Sequence, residues 1–84
     1  MRQRRLELRI RLYGRLGDAI APEIELAAAS CTVGEVRRRL ATSHPAAARS
    51  LETSRALIAG RVVGDDRAVG EAEELEFLPP VSGG

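Results

Sequence analysis

From Arg5 to Tyr13 the chain alternates without a break, with Leu6, Leu8, Ile10 and Leu12 on one side and Arg5, Glu7, Arg9, Arg11 and Tyr13 on the other. A period of two is the pattern of a strand with one face in a core and the other in water. Such a strand cannot stand alone, because its row of apolar side chains has to be covered by a second layer. With 84 residues in all, the chain has room for one core, burying roughly 60 to 65 % of its unfolded surface. The constraint is therefore one small sheet with one cover.

The cover is legible at Thr32-Val33-Gly34-Glu35, a capping box in which the Thr hydroxyl accepts from the Glu35 amide and the Glu side chain reaches back to the Thr32 amide. Val33, Val36 and Leu40 follow at helical spacing, with Arg37, Arg38 and Arg39 between them expected mostly on the wet side. His44-Pro45 ends the helix, since a residue before proline is pushed out of the helical region. Gly14, Gly17 and Asp18 are expected to form a loop, after which Glu23 to Leu26 alternates again and pairs back on the first strand as an antiparallel hairpin. Ala46 to Leu51 reads as a short helical turn. Two short strands, Ala56–Ala59 and Gly60–Val63, meet at a tight turn marked by Gly60, Gly64-Asp65-Asp66 turns again, and Leu75–Leu78 is the last strand.

The order strand, strand, helix, strand, strand, strand predicts an α+β fold: a mixed sheet with one main helix packed on one face. The first and last strands are expected side by side, with Leu8, Ile10, Leu12, Leu75 and Phe77 under the helix. Removing Ile10 or Phe77 from such a core costs about 3 to 5 kcal/mol.

Composition excludes several functions. All 13 basic residues are Arg and none is Lys, so lysine Schiff-base chemistry and a side-chain isopeptide acceptor are absent. One Cys and one His supply neither an internal disulfide nor a tetrahedral zinc site. No run of eighteen apolar residues exists, and basic Met1–Arg5 leads into alternation instead of an apolar segment. The expectation is a soluble protein of a reducing cytoplasm with no membrane partner. Arg2, Arg4, Arg5, Arg9, Arg11 and Arg15 against Glu7 give the start a net +5, and Asp65, Asp66, Glu71, Glu73, Glu74 and Glu76 against Arg67 give the end a net −5. If the end strands are neighbours, Arg9 and Arg11 face Glu74 and Glu76 as cross-strand pairs. Nucleic acid is not the expected partner, because only Tyr13 and Phe77 offer aromatic surface. Cys31 reads as a small packing residue, His44 has no carboxylate or nucleophile beside it, and Glu73-Glu74 reads as a solvated run.

The chain ends Pro79-Pro80-Val81-Ser82-Gly83-Gly84. Two prolines hold this segment extended and two glycines remove every Cβ from its last residues. At about 3.3 Å per residue the segment reaches on the order of 20 Å, enough to pass a carboxylate into another protein's active site. The division expected is a folded domain over 1–78 and an extended reactive tail over 79–84.

Phe77-Leu78-Pro79-Pro80-Val81-Ser82-Gly83-Gly84 resembles the C-terminal signature of the β-grasp sulfur carriers, the MoaD/ThiS family, and within it the MoaD-type small subunit of molybdopterin synthase. Leu8-Arg9-Ile10-Arg11-Leu12-Tyr13-Gly14-Arg15-Leu16 resembles the first strand and turn of that family, Thr32-Val33-Gly34-Glu35-Val36 its helix start and Leu57-Ile58-Ala59-Gly60 its mid-chain hairpin. Gly70-Glu71-Ala72-Glu73-Glu74 departs from the family's turn of alternating glycine and acid by keeping the acidity with one glycine.

The resemblance implies a ubiquitin-like β-grasp fold whose terminal carboxylate, on Gly84, is adenylated by an E1-like enzyme with ATP and converted to a thiocarboxylate by a sulfur donor. It implies sulfur transfer to cyclic pyranopterin monophosphate inside the large synthase subunit, for the dithiolene of the molybdenum cofactor. Leu78, Pro79, Pro80, Val81, Ser82 and Gly83 are the expected partner-binding residues. No cofactor is expected on this chain; ATP belongs to the adenylating enzyme, and the other catalytic groups of the sulfurtransferase to the large subunit. Related carriers serve thiamine, cysteine or tRNA thiolation, and a ubiquitin-like modifier of other proteins' lysines uses the same kind of tail. A plain interaction domain working through the Arg-rich strand is the reading from another class.

Overall fold

The computed structural model describes residues 6–28 and 31–80. The alternating segment forms β1 (Leu6–Leu12), its expected first residue Arg5 lying outside the described residues. There follow α1 (Arg15–Ala19), β2 (Glu23–Ala28), β3 (Cys31–Thr32), α2 (Val33–Ser43), a 3-10 turn (Pro45–Ala47) running into α3 (Ala48–Thr53), β4 (Arg55–Ile58), β5 (Arg61–Val63), β6 (Ala68–Val69) and β7 (Glu74–Leu78). The main sheet has the order β2-β1-β7-β4-β5. β1 and β7 are parallel, with Arg9 opposite Glu74 and Leu12 opposite Phe77, and the other neighbours are antiparallel. This is the expected α+β β-grasp arrangement, the end strands lying together at the centre of the sheet.

Leu8, Ile10, Leu75 and Phe77 are each 0 % exposed, and they share one core with Val33, Val36 and Leu40 of α2. Both halves of the capping box form: the Glu35 amide donates to Thr32 Oγ1 at 3.2 Å and the Thr32 amide to Glu35 Oε1 at 2.8 Å. The helix closes at His44, whose amide donates to the Leu40 carbonyl at 2.8 Å.

The fold departs from expectation in its smaller elements. Residues expected as a loop after β1 form α1, because Leu16 turns into the core while the Leu16 amide donates to the Tyr13 carbonyl and the Asp18 amide to the Gly14 carbonyl. Gly17 permits this, since a Cβ there would lie 2.8 Å from the Leu12 carbonyl oxygen. The cover is accordingly more than one helix, with Leu16, Ala47 and Leu51 all in the core. A two-stranded sheet of β3 and β6 pairs Cys31 with Val69, and strands of two residues are too short to show a period. The last strand starts at Glu74, one residue before expectation, and β2 runs on to Ala28.

Arg37 also departs from the wet side assigned to it. Its side chain is 14 % exposed. Its Nη1 donates to the carbonyls of Leu51 and Ser54 and to Ser54 Oγ, while Nη2 meets Asp65 at 3.0 Å. Arg38 is exposed, and Arg39, also exposed, donates across to the Ala27 carbonyl of β2 at 3.1 Å. A guanidinium has five donors on a long apolar stem, so a helix can turn one inward wherever neighbouring carbonyls receive it.

Candidate functional site: the base of the C-terminal tail

β7 delivers the chain to Pro79 and Pro80 at the end of the central strand pair. β1 and the turn after it hold that exit. Leu12 pairs with Phe77, the Tyr13 amide donates to the Phe77 carbonyl at 3.2 Å, and the Tyr13 hydroxyl donates to Glu76 Oε2 at 2.7 Å. Gly14 adopts φ +57°, a left-handed conformation natural to glycine, and a Cβ on it would stand 3.1 Å from Cγ of Pro79. The ring of Pro79 thus lies against a position with no side chain.

The open face beside this exit is charged. Arg11 approaches Glu74 at 3.7 Å and Glu23 at 3.8 Å, all three half-exposed. The expected facing of Arg9 and Arg11 with Glu74 and Glu76 holds as strand register, but the contacts differ: Arg11 reaches diagonally to Glu74, and Glu76 takes the Tyr13 hydroxyl. The hydrogen bond to Glu76 raises the Tyr13 phenol above its ordinary pKa, because the carboxylate holds the proton in place. A shallow depression of about 280 Å³ lined by Arg11, Leu12, Tyr13, Pro22 and Glu23 adjoins the same turn.

Of the expected partner-binding residues, Leu78 is 38 % exposed and sits opposite Arg55 of β4, Pro79 is half-buried and Pro80 exposed. Val81, Ser82, Gly83 and the expected reactive residue Gly84 lie outside the described residues. Val62 on β5, 63 % exposed, is a second large apolar side chain in solvent. Its neighbour in register is Leu57, whose other neighbour is Glu76, so an apolar strip runs across β5 and β4 toward the last strand. Sequence reading passed over Val62 because a three-residue strand gives no clear facing.

The side chains set aside as packing behave so where described. Cys31 is 7 % exposed, and burial pushes its thiol above the ordinary pKa, the reverse of an activated nucleophile. Glu73 is a correction. Expected in a solvated run, it accepts from Arg67 Nη1 and Nη2 at 2.9 and 2.8 Å and from the Gly70 amide at 2.8 Å. Those bonds, the Arg67 pair first, lower its pKa to about 2. The one-glycine turn is thus closed by a side chain. Among the described residues no three His, Cys, Asp or Glu side chains come together to hold a metal ion, and no helix is long and apolar enough to cross a membrane.

Comparison with known proteins bears on the tail as well as the fold. The profile of the ThiS family matches residues 10–84. A search of the curated proteins finds no significant match. Among solved structures, the Haloferax volcanii HVO 2177 protein superposes with a TM-score of 0.83 at 25 % identity, over 95 % of this chain and 88 % of that one. SAMP1 of the same organism gives 0.75 at 25 % identity, over 93 % and 99 %. Small archaeal modifier protein 1 of Methanosarcina acetivorans gives 0.76 at 24 % identity, over 96 % and 99 %, a likeness of fold.

Proposed function

Because the chain belongs to the ThiS family of β-grasp proteins, we propose that it is a ubiquitin-like carrier that works through its own last residue, the α-carboxylate of Gly84 being adenylated by an E1-like enzyme. The observation that carries this reading is that the family match extends through the Gly-Gly end to residue 84. An α-carboxylate has an ordinary pKa near 3.3 to 3.7 and is therefore ionised at neutral pH. One of its oxygens attacks the α-phosphate of ATP, pyrophosphate leaves, and the resulting mixed anhydride is open to a nucleophile. Gly83 and Gly84 put no Cβ beside the carbonyl under attack, and Pro79 and Pro80 lower the entropy cost of ordering the tail in a partner's channel. ATP, metal and general acids come from the partners.

Two nucleophiles define two fates. A lysine amine of another protein displaces AMP, directly or after an enzyme thiol, and leaves an isopeptide bond; the likeness to SAMP1, a protein named as a modifier, favours this fate. A sulfur donor instead displaces AMP to leave a thiocarboxylate, and the Phe77–Gly84 segment supports that second fate, with sulfur passed on as in the MoaD-type subunit of molybdopterin synthase. In neither does the chain turn over alone.

The test is intact-mass analysis after incubation with ATP, an E1-like enzyme and a sulfide source, beside a variant lacking Gly84. A gain of one oxygen-to-sulfur exchange, absent from the variant, supports the sulfur fate. Gly84-dependent isopeptides on lysines in lysate support the modifier fate. Neither product with several E1-like enzymes, or either product from the truncated chain, overturns the proposal.

A further inference from the structure

We infer that Gly14 is a positioning residue for the tail: its bare Cα is the seat on which the Pro79 ring rests, and that seat aims the chain where it leaves the sheet. The inference rests on the proposed activation of Gly84, and names the part of the folded domain that serves it. Three contacts converge there. The Tyr13 amide fixes the Phe77 carbonyl at 3.2 Å, the Tyr13 hydroxyl fixes Glu76 at 2.7 Å, and the next residue, Gly14, meets the ring two residues after Phe77. Tyr13 thus grips the strand from its backbone and its side chain, while Gly14 takes the first residue past β7.

The steric margin is small. A Cβ at Gly14 would stand 3.1 Å from Pro79 Cγ, closer than carbon atoms normally pack, since their optimal separation is about 3.5 to 4.0 Å. The atom met is the flap carbon of a closed ring, which gives a few tenths of an ångström by repuckering but cannot swing clear as a long side chain would. What the ring cannot absorb falls on the Pro79 backbone, and Pro79 is the first link of the six-residue segment ending in Gly84. The proposed activation presents that segment to a partner, and misplacing a reacting group by about 1 Å costs up to a hundredfold in rate. The sheet up to Leu78 lies before the crowded link, so the loss is expected in kcat and not in KM.

Gly14 also carries a backbone requirement, φ +57°, which an Ala substitution would strain wherever the tail points. With ψ −135° this is the mirror-β region that glycine alone enters freely, so Asn is strained there as well, and it is the Pro79→Ala background, which carries the same strain without the ring, that separates crowding from strain. Four full-length proteins make the test: wild type, G14N, P79A and G14N/P79A. Each is checked for folding by its melting curve, then measured for amide chemical shifts of residues 81–84 and for kcat and KM in ATP-dependent activation. Seating predicts that G14N moves the tail amides and lowers kcat about tenfold with KM within about twofold. On the P79A background, where the ring is gone, the same substitution does neither. G14N effects of equal size on both backgrounds, or a folded G14N with unmoved tail amides, overturn the inference. If the wild type is not activated by any E1-like enzyme, the proposed function fails while the amide shifts still decide the seating.

Discussion

The guanidinium of Arg37 on α2 lies over the ring of Phe77 on β7, 5.1 Å from its centroid. The cation thereby joins the helix to the central strand and, through its other donors, to the start of β4 and the turn at Asp65. Arg37→Met keeps the stem but removes the donor that the Ser54 carbonyl and hydroxyl share, while the Leu51 carbonyl keeps the Ser54 amide and hydroxyl, so stability falls by about 1 to 3 kcal/mol. Arg38→Ala, on the exposed side of the same helix, stays within about 0.5 kcal/mol. Equilibrium urea unfolding checks the pair; equal effects would return Arg37 to the wet side.

Ala59 has φ +54° and Gly60 φ +78° in the two-residue link between β4 and β5. Positive φ at both central positions is the turn whose twist matches a hairpin, and it prefers Asn-Gly. An alanine held there stores strain on the order of 1 kcal/mol. Ala59→Asn is expected to raise the melting temperature by about 4 to 8 °C, while Gly60→Ala lowers it. An unchanged or lower melting temperature for Ala59→Asn would remove the strain from the account.

Glu73 titrates at about 2 in the folded chain against an ordinary 4.5, held down first by Arg67 and then by the Gly70 amide. A lowered carboxyl pKa means stability that is fully present above about pH 4.5 and lost as the pH falls toward about 2. The β6–β7 turn therefore loosens in acid. Carboxyl-resolved NMR titration should place the Glu73 midpoint at about 2, well below the ordinary 4.5, and Glu73→Gln should flatten the fall of stability across that window. A Glu73 midpoint in the ordinary range would break the link.

What was legible in the residues was whatever a period or a cap could carry. β1 alternates over seven residues, and the box at Thr32 and Glu35 forms as written, so the central strands, the main helix and the adjacency of β1 and β7 were legible, while the parallel direction of that pair came with the structure. α1 did not follow, because Gly14, Gly17 and Asp18 are turn residues by propensity and only the burial of Leu16 overrides them. Arg37 was hidden because helical spacing tells which residues are apolar, not which cation has carbonyls waiting for it. At the site, the tail was visible as composition, while the seat beneath it joins residues 14 and 79 and is visible only once β7 is laid beside β1.

Leu78 carries the test of how the tail is presented. It is 38 % exposed on β7, immediately before Pro79, with Arg55 opposite, so under the proposed function it lies on the approach of an enzyme that receives the tail. An apolar side chain at the centre of such a contact is worth enough that a charge in its place costs about 1.4 kcal/mol, a tenfold change in affinity. Leu78→Asp is expected to raise KM for ATP-dependent activation about tenfold while kcat and the melting temperature change little. This is the opposite split from the one expected at Gly14, where direction and not docking is altered. Steady-state kinetics on the two variants side by side separate the roles: a kcat loss at Leu78 would make it part of the aiming device, and an unchanged KM would leave Leu78 outside the contact.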